Sequence, residues 1–304
     1  MKECLSSAAC HPGAAASAEQ DATSTEEITF SVPEGLRIAA EALGPANGLP
    51  VLMLHGGGQT RRSWKPSLQT LAGLGYRGYC LDARGHGDSD RHGEGNYTVD
   101  AFHRDLLSVI ANIGRAPVLI GASLGGIVSL LAAGEGGPAV ARALVLVDIA
   151  VRTNPSGVAR IQAFMRANPR GFASLEEAAD AVAAYAADRP RPKSVEGLRH
   201  NLRQAGGRYH WHWDERFLDS WHASHQAAAD RLERAARMLE IPVLIVHAGR
   251  SDVLGAREVA HLRDLVPHAE YVRVEHASHM VVGDRNSDFN KAILHFLDRH
   301  APAH

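Results

Sequence analysis

Gly121-Ala122-Ser123-Leu124-Gly125 follows an apolar run, Val118-Leu119-Ile120, and leads into Gly126-Ile127-Val128. The flanking glycines permit a sharp strand-to-helix turn, which lifts the serine hydroxyl out of a sheet and sets a helix N-terminus beneath it. A hydroxyl is a weak nucleophile until a base takes its proton, so a serine placed this way needs an imidazole within reach and an acid to orient that imidazole. The chemistry in view is acyl transfer. It also needs donors for a developing oxyanion, and His55-Gly56-Gly57-Gly58, after the apolar stretch 51–54, is a loop of small residues whose amides can face a substrate oxygen. Gly57 and Leu124 are the natural donors. His55 belongs to this loop and reads as a structural hydrogen-bonding group.

The base must follow the last strand to reach the serine, and Glu275-His276-Ala277-Ser278-His279-Met280 offers His276 and His279. For the acid, the run Ile245-Val246-His247-Ala248-Gly249-Arg250-Ser251-Asp252 ends in Asp252, which gives the chain order Ser, Asp, His. Asp148, just after the run 143–147, competes for the same role. The stretch Asp82-Ala83-Arg84-Gly85-His86-Gly87-Asp88-Ser89 is a tight turn held by side-chain to backbone bonds, a marker of fold and not a catalytic centre.

The elements that must position these groups are short runs rich in Val, Ile and Leu at 28–32, 36–43, 51–54, 78–81, 118–121, 143–147, 243–247 and 271–274. Such runs fit strands buried on both faces of a mostly parallel sheet. The first two are joined by Pro33-Glu34-Gly35, too short for a parallel crossover, so they predict an antiparallel hairpin at the sheet edge. Helical periodicity near 65–74, 99–113, 124–133, 256–265 and 285–297 alternates with the strands and predicts helices on both faces. The fold class is therefore α/β, with eight strands. The alternation stops between residues 150 and 241, where alanine-rich helical periodicity and no strand pattern predict an inserted helical cap, broken near Pro190-Arg191-Pro192. The expected organisation is a leader at 1–25, a core from 26–150 and 241–304, and a cap over 151–240. The Ala- and Ser-rich leader reads as disordered, with no apolar run long enough for a signal peptide or a membrane helix.

With the glycine-rich loop, the turn at 82–89, the serine motif and the histidine loop in this order, the chain resembles the α/β-hydrolase superfamily over about residues 27–299, particularly its capped bacterial members. The resemblance implies a nucleophile at Ser123, an acid at Asp252, a base at His279, and oxyanion donors at Gly57 and Leu124. The runs 249–253 and 279–284 resemble sequences of hydrolases, non-haem peroxidases and epoxide hydrolases. Epoxide hydrolases and haloalkane dehalogenases of this fold need a carboxylate nucleophile, and Ser123 stands in its place.

In a chain only 6% aromatic, Trp211, Trp213 and Trp221 cluster beside Tyr209 and Phe217, which suits either a lined apolar pocket or the cap's own core. Arg199, Arg203 and Arg208 suit either a substrate carboxylate or a solvated helix face. The 18 histidines, among them His210, His212, His222 and His225, lack a carboxylate partner at a recognised ligand spacing, so no metal and no cofactor is expected. A net charge of −2 provides no field for a polyanion or an acidic membrane. Three cysteines, Cys4, Cys10 and Cys80, imply no disulfide framework and favour the cytoplasm. The expected partner is a small-molecule substrate, with neither nucleic acid nor membrane; monomer and homodimer both stay open. Hydrolysis of a carboxylic ester or lactone leads. Carbon–carbon bond hydrolysis of a vinylogous diketone and a ligand-sensing receptor on a hydrolase scaffold stand as alternatives.

Overall fold

A computed structural model describes residues 24–152, 155–185, 195–251, 254–277, 279, 282 and 287–303. Eight strands form one sheet: β1 (Glu26–Ser31), β2 (Arg37–Leu43), β3 (Pro50–Leu54), β4 (Arg77–Leu81), β5 (Val118–Ala122), β6 (Ala143–Val147), β9 (Val243–Ala248) and β10 (Glu270–Val274). Their order is β1-β2-β4-β3-β5-β6-β9-β10. The expected edge hairpin is present, because β1 pairs antiparallel with β2, and β2 pairs antiparallel with β4. All remaining neighbours are parallel.

Strands β5, β6 and β9 are buried along their whole length, which explains their unbroken apolar sequence. The period of two survives inside that run. Leu119, Leu144 and Leu146 join one core, with residues of helices α2 (Val99–Ile113), α3 (Leu124–Gly136) and α8 (Ala256–Leu265). Val118, Ile120, Val145 and Val147 join the other, with α1 (Lys65–Gly73) and α9 (Ser287–His300). Helices thus cover both faces of the sheet. Helix α2 shows its local cause clearly: Thr98 caps the start by accepting from the Ala101 amide at 3.3 Å, and Gly114 ends it in the left-handed region.

Between β6 and β9 the chain forms α4 (Pro155–Arg166), α5 (Leu175–Tyr185), α6 (Phe217–Ala227) and α7 (Ala229–Arg237). It also forms an antiparallel hairpin of β7 (Leu202–Ala205) and β8 (Arg208–Trp211), which corrects the expectation of a strand-free segment. The strands are short and lack alternating apolar residues. Their signal is the turn: Gly206 and Gly207 both take positive φ, 57° and 74°, as a two-residue hairpin loop requires. Helix α7 packs tightly on α3, where a Cβ on Gly134 would lie 2.2 Å from the Ala235 carbonyl oxygen. Residues 1–23 of the expected leader and the Pro190–Pro192 break lie outside the described residues. Among the described residues, no helix is long and apolar enough to cross a membrane.

Candidate active site

Ser123 sits between the end of β5 and the start of α3 with φ 46° and ψ −115°. A non-glycine residue there carries strain of about 1–3 kcal/mol and persists only where the surroundings impose it. The imposition is visible. The Ser123 amide donates to the Val147 carbonyl at 3.1 Å, Ile127 donates back to the Ser123 carbonyl at 3.0 Å, and Gly125 donates to the His55 carbonyl at 3.2 Å. Backbones come so close that a Cβ on Gly121 would stand 2.4 Å from the Gly125 oxygen, and one on Gly125 would stand 2.5 Å from the Leu54 oxygen. The glycines of the motif are there for this approach.

Facing the serine, the loop after β3 curls over itself. The Gly56 amide donates to Gln59 Oε1 at 3.0 Å, and the Gln59 amide donates to the Gly56 carbonyl at 3.1 Å. A Cβ on Gly56 would sit 3.2 Å from that of Ser123, so this loop lies directly against the serine. Among the described residues no hydrogen bond engages the amide of Gly57 or that of Leu124, the first residue of α3. Both are therefore available to an oxyanion.

His279 donates from Nδ1 to Asp148 Oδ2 at 2.7 Å. A carboxylate only accepts, so the proton resides on Nδ1 and Nε2 is left as the basic atom. Asp148 is 2% exposed, takes φ 50° one residue beyond β6, and accepts also from the Ala248 amide at 3.0 Å and from Ser251 Oγ at 2.6 Å. Asp148, the competing acid of the sequence analysis, is thus bonded to His279, while Asp252, on which the sequence expectation rested, lies outside the described residues. His276 is exposed and lines the same cavity.

The turn at 82–89 behaves as its composition predicts. Ser89 Oγ donates to the Asp82 carbonyl at 2.6 Å, while Asp82 Oδ2 accepts the Asp88 amide at 2.9 Å and Oδ1 accepts the Arg61 amide at 2.7 Å. Arg61 also forms a buried ion pair with Asp82. His55 accepts the Ala83 amide on Nε2 at 3.0 Å, and burial pulls its pKa below the ordinary value, which keeps the ring neutral and structural.

A cavity of about 620 Å³ reaches from Ser123, Asp148 and His279 into the inserted segment. Trp211, Trp213 and Trp221 all line it, with the first two stacked at 4.9 Å. Tyr209 does not. It pairs with Phe172 in a separate small core that includes Leu175 and Leu202. Phe217, the other aromatic of the cluster, lines the cavity too, as do Leu218, His222 and His225, which the aromatic cluster alone does not mark; Phe217, Leu218, Trp221 and His225 follow helical spacing on one face of α6, the signal that picks them out. Burial drives the pKa of His225 down to about 4, so the ring is neutral at pH 7. The arginines offered as carboxylate anchors are engaged elsewhere: Arg199 pairs with Glu196, Arg203 donates to the Gly87 carbonyl, and Arg208 donates to the carbonyls of Arg170 and Gly171. Of the histidines weighed as ligands, His210 lies against Gly171 and His212 is bonded between Gly87 and Gly58.

Comparison with known proteins gives one picture. A family model described as the alpha/beta hydrolase fold matches residues 50–285. An sn-1-specific diacylglycerol lipase of Mus musculus is 29% identical over 263 residues, which span 84% of this chain and 82% of that one. An esterase of Mycobacterium tuberculosis is 28% identical over 293 residues, 89% of this chain and 91% of that one. The crystal structure of an alpha/beta hydrolase from Novosphingobium aromaticivorans superposes with a TM-score of 0.78 at 26% identity, covering 91% of this chain and 99% of that one.

Proposed function

The chain belongs to the alpha/beta hydrolase fold family, and from that premise we propose that it is a serine hydrolase cleaving a carboxylic ester or lactone of small to medium, moderately hydrophobic character. The observation that carries this reading is the 2.7 Å bond between His279 and buried Asp148 in the same cavity as Ser123, whose backbone is held at a strained turn. Esterase and lipase relatives support the hydrolase class. The cavity's aromatic walls support an apolar acyl or alcohol part.

In this mechanism Asp148 fixes the tautomer of His279, and Nε2 takes the proton of Ser123 as Oγ attacks the substrate carbonyl. The amides of Gly57 and Leu124 hold the oxyanion of the tetrahedral intermediate. His279 returns the proton to the departing alkoxide, leaving an acyl-enzyme. Water then attacks the acyl carbon with His279 again as base, and Ser123 leaves with the proton. Cleavage of a vinylogous diketone would use the same serine, but the arginines that would hold such an acidic substrate, Arg199 and Arg203, are committed to Glu196 and to Gly87. The inserted segment acts as the cap that shapes the pocket, and the partner is a small molecule.

Steady-state hydrolysis of p-nitrophenyl esters of rising acyl length, with lactones and a vinylogous diketone alongside, tests this. The expected result is turnover of medium-chain esters or of lactones by the wild type. Cleavage of the diketone alone would replace the reading.

A further inference from the structure

Beside the candidate oxyanion loop lie three buried histidines, with ring centroids 5.2 Å apart for His55 and His86 and 5.8 Å apart for His86 and His212. They come from three places: the loop after β3, the turn after β4, and the residue after β8 in the inserted segment. Their hydrogen bonds fix every tautomer. His55 donates from Nδ1 to the Gly56 carbonyl at 2.8 Å and accepts the Ala83 amide on Nε2. His86 donates from Nδ1 to the Arg84 carbonyl at 3.1 Å and accepts the Gly58 amide on Nε2 at 3.2 Å. His212 accepts the Gly87 amide on Nδ1 at 2.8 Å, so its Nε2 carries the proton and donates to the Gly58 carbonyl at 3.2 Å.

Those bonds bracket one group. In a trans peptide the N–H points opposite to the C=O of the preceding residue, so the bond from His55 to the Gly56 carbonyl aims the Gly57 amide. The next peptide is held at the Gly58 amide by His86, and the one after it at the Gly58 carbonyl by His212. Gly58 needs such holding, because its φ of 77° is a conformation open to glycine and easily left by it. Side chains of the insert close over the same two residues: Phe217 lies 3.1 Å from where a Gly57 Cβ would be, and Met165 lies 3.0 Å from that of Gly58.

We infer that His212 is a positioning residue for the oxyanion hole: by holding the Gly58 carbonyl it keeps the Gly57 amide aimed at the acyl oxygen, so the cap completes the catalytic centre as well as covering it. The inference rests on the reading of Ser123 as the acyl-transfer nucleophile and Gly57 as a donor. His212 itself does not touch the reacting atoms. Other bonds anchor its segment to the core: Arg91 donates to the His212 carbonyl at 3.0 Å, and Asp214 donates through its amide to the Gly85 carbonyl at 2.9 Å. Removal of the imidazole therefore leaves the segment attached.

The two halves of the imidazole are separable. His212→Asn retains an oxygen near the Nδ1 position and loses the donor to Gly58; His212→Gln retains a donor near Nε2. Both are compared with the wild type and with Arg91→Ala, which loosens the same segment without touching the loop. The measurements are kcat and KM on one ester per fluorophosphonate-labelled site, the melting temperature, and the inhibition constant of a trifluoromethyl ketone, which forms an oxyanion on the serine. Positioning predicts that His212→Asn loses about tenfold to hundredfold in kcat and in ketone affinity, with KM changed less than about twofold, while His212→Gln keeps most of both. Arg91→Ala should lower the melting temperature alone. If His212→Asn does not fold, His212→Ala takes its place. Wild-type kcat and ketone affinity in the donor-less variants, whatever the melting temperature, would overturn the inference. Absence of any fluorophosphonate adduct on the wild type would instead remove the serine-hydrolase reading beneath it.

Discussion

Two regions meet in the cavity, and they are specified in different ways. At the ends of β5 and β6 the chain is positioned by its own backbone: amide bonds to strand carbonyls, glycines required because a Cβ would stand 2.4–2.5 Å from a backbone oxygen, and residues forced to positive φ at Ser123 and Asp148. In the inserted segment the walls are side chains from α4, α5, β8, α6 and the loops between them, and their packing decides which of them face the cavity. Chemistry placed by backbone is tied to local sequence. Side chains placed by packing are free to vary without disturbing Ser123, although the His212 bonds to Gly58 and Gly87 are among those that tie the insert to the core loops.

The largest effect expected on the backbone-built side is that of Asp148→Asn. An asparagine keeps the shape but presents the wrong partner to Nδ1, and kcat should fall by about 10⁴-fold, measured on the best ester of the panel. Asp252→Asn serves as the comparison. If it produces that loss and Asp148→Asn does not, the orienting acid is Asp252 and the geometric argument for Asp148 fails.

A second effect separates the regions by pH. Burial lowers the pKa of His225 from 6.5 to about 4 and that of His212 to about 3, and both belong to the insert. The unfolded chain takes these protons first, near pH 6.5, so the stability of the neutral folded form is complete above pH 6.5. It erodes as pH falls toward 4 for His225 and toward 3 for His212. For His225 the loss by pH 4 is of order 3 kcal/mol. Thermal melts of the wild type and His225→Leu between pH 7 and pH 4 check this: the variant should lose less melting temperature over that range, and parallel curves would contradict it.

The smallest expected effect lies within the cavity wall. Trp221, 7% exposed and stacked with Phe217 and His225, should contribute to binding of longer acyl chains. Trp221→Ala should lower kcat/KM for medium-chain esters by about tenfold relative to the acetate ester. Equal losses on both esters would show that the residue supports the site's shape and not its selectivity.

The same division explains what could be read from the residues alone. The eight strands of the sheet, its edge hairpin, the serine turn and the glycine loop were all legible, because periodicity and glycine spacing report backbone demands directly. Order along the chain singled out Asp252, which lies outside the described residues, and said less about Asp148. Both follow a buried strand, and the bond from His279 to Asp148 depends on a loop crossing from β10, a relation that no local pattern carries. The β7–β8 hairpin escaped because its strands lack alternation, although Gly206-Gly207 marked the turn. Of the aromatic residues that cluster at 209–221, Tyr209 packs in a second small core beside Phe172; it shares a strand face with Trp211, which does reach the cavity, so neither clustering nor alternation tells the two apart.

The central claim, an activated serine at position 123, is tested most directly by intact-mass analysis after exposure to a fluorophosphonate, with the wild type and Ser123→Ala side by side. The account predicts a single adduct on the wild type and none on the variant. An unmodified wild type, or an adduct that persists in Ser123→Ala, would contradict it.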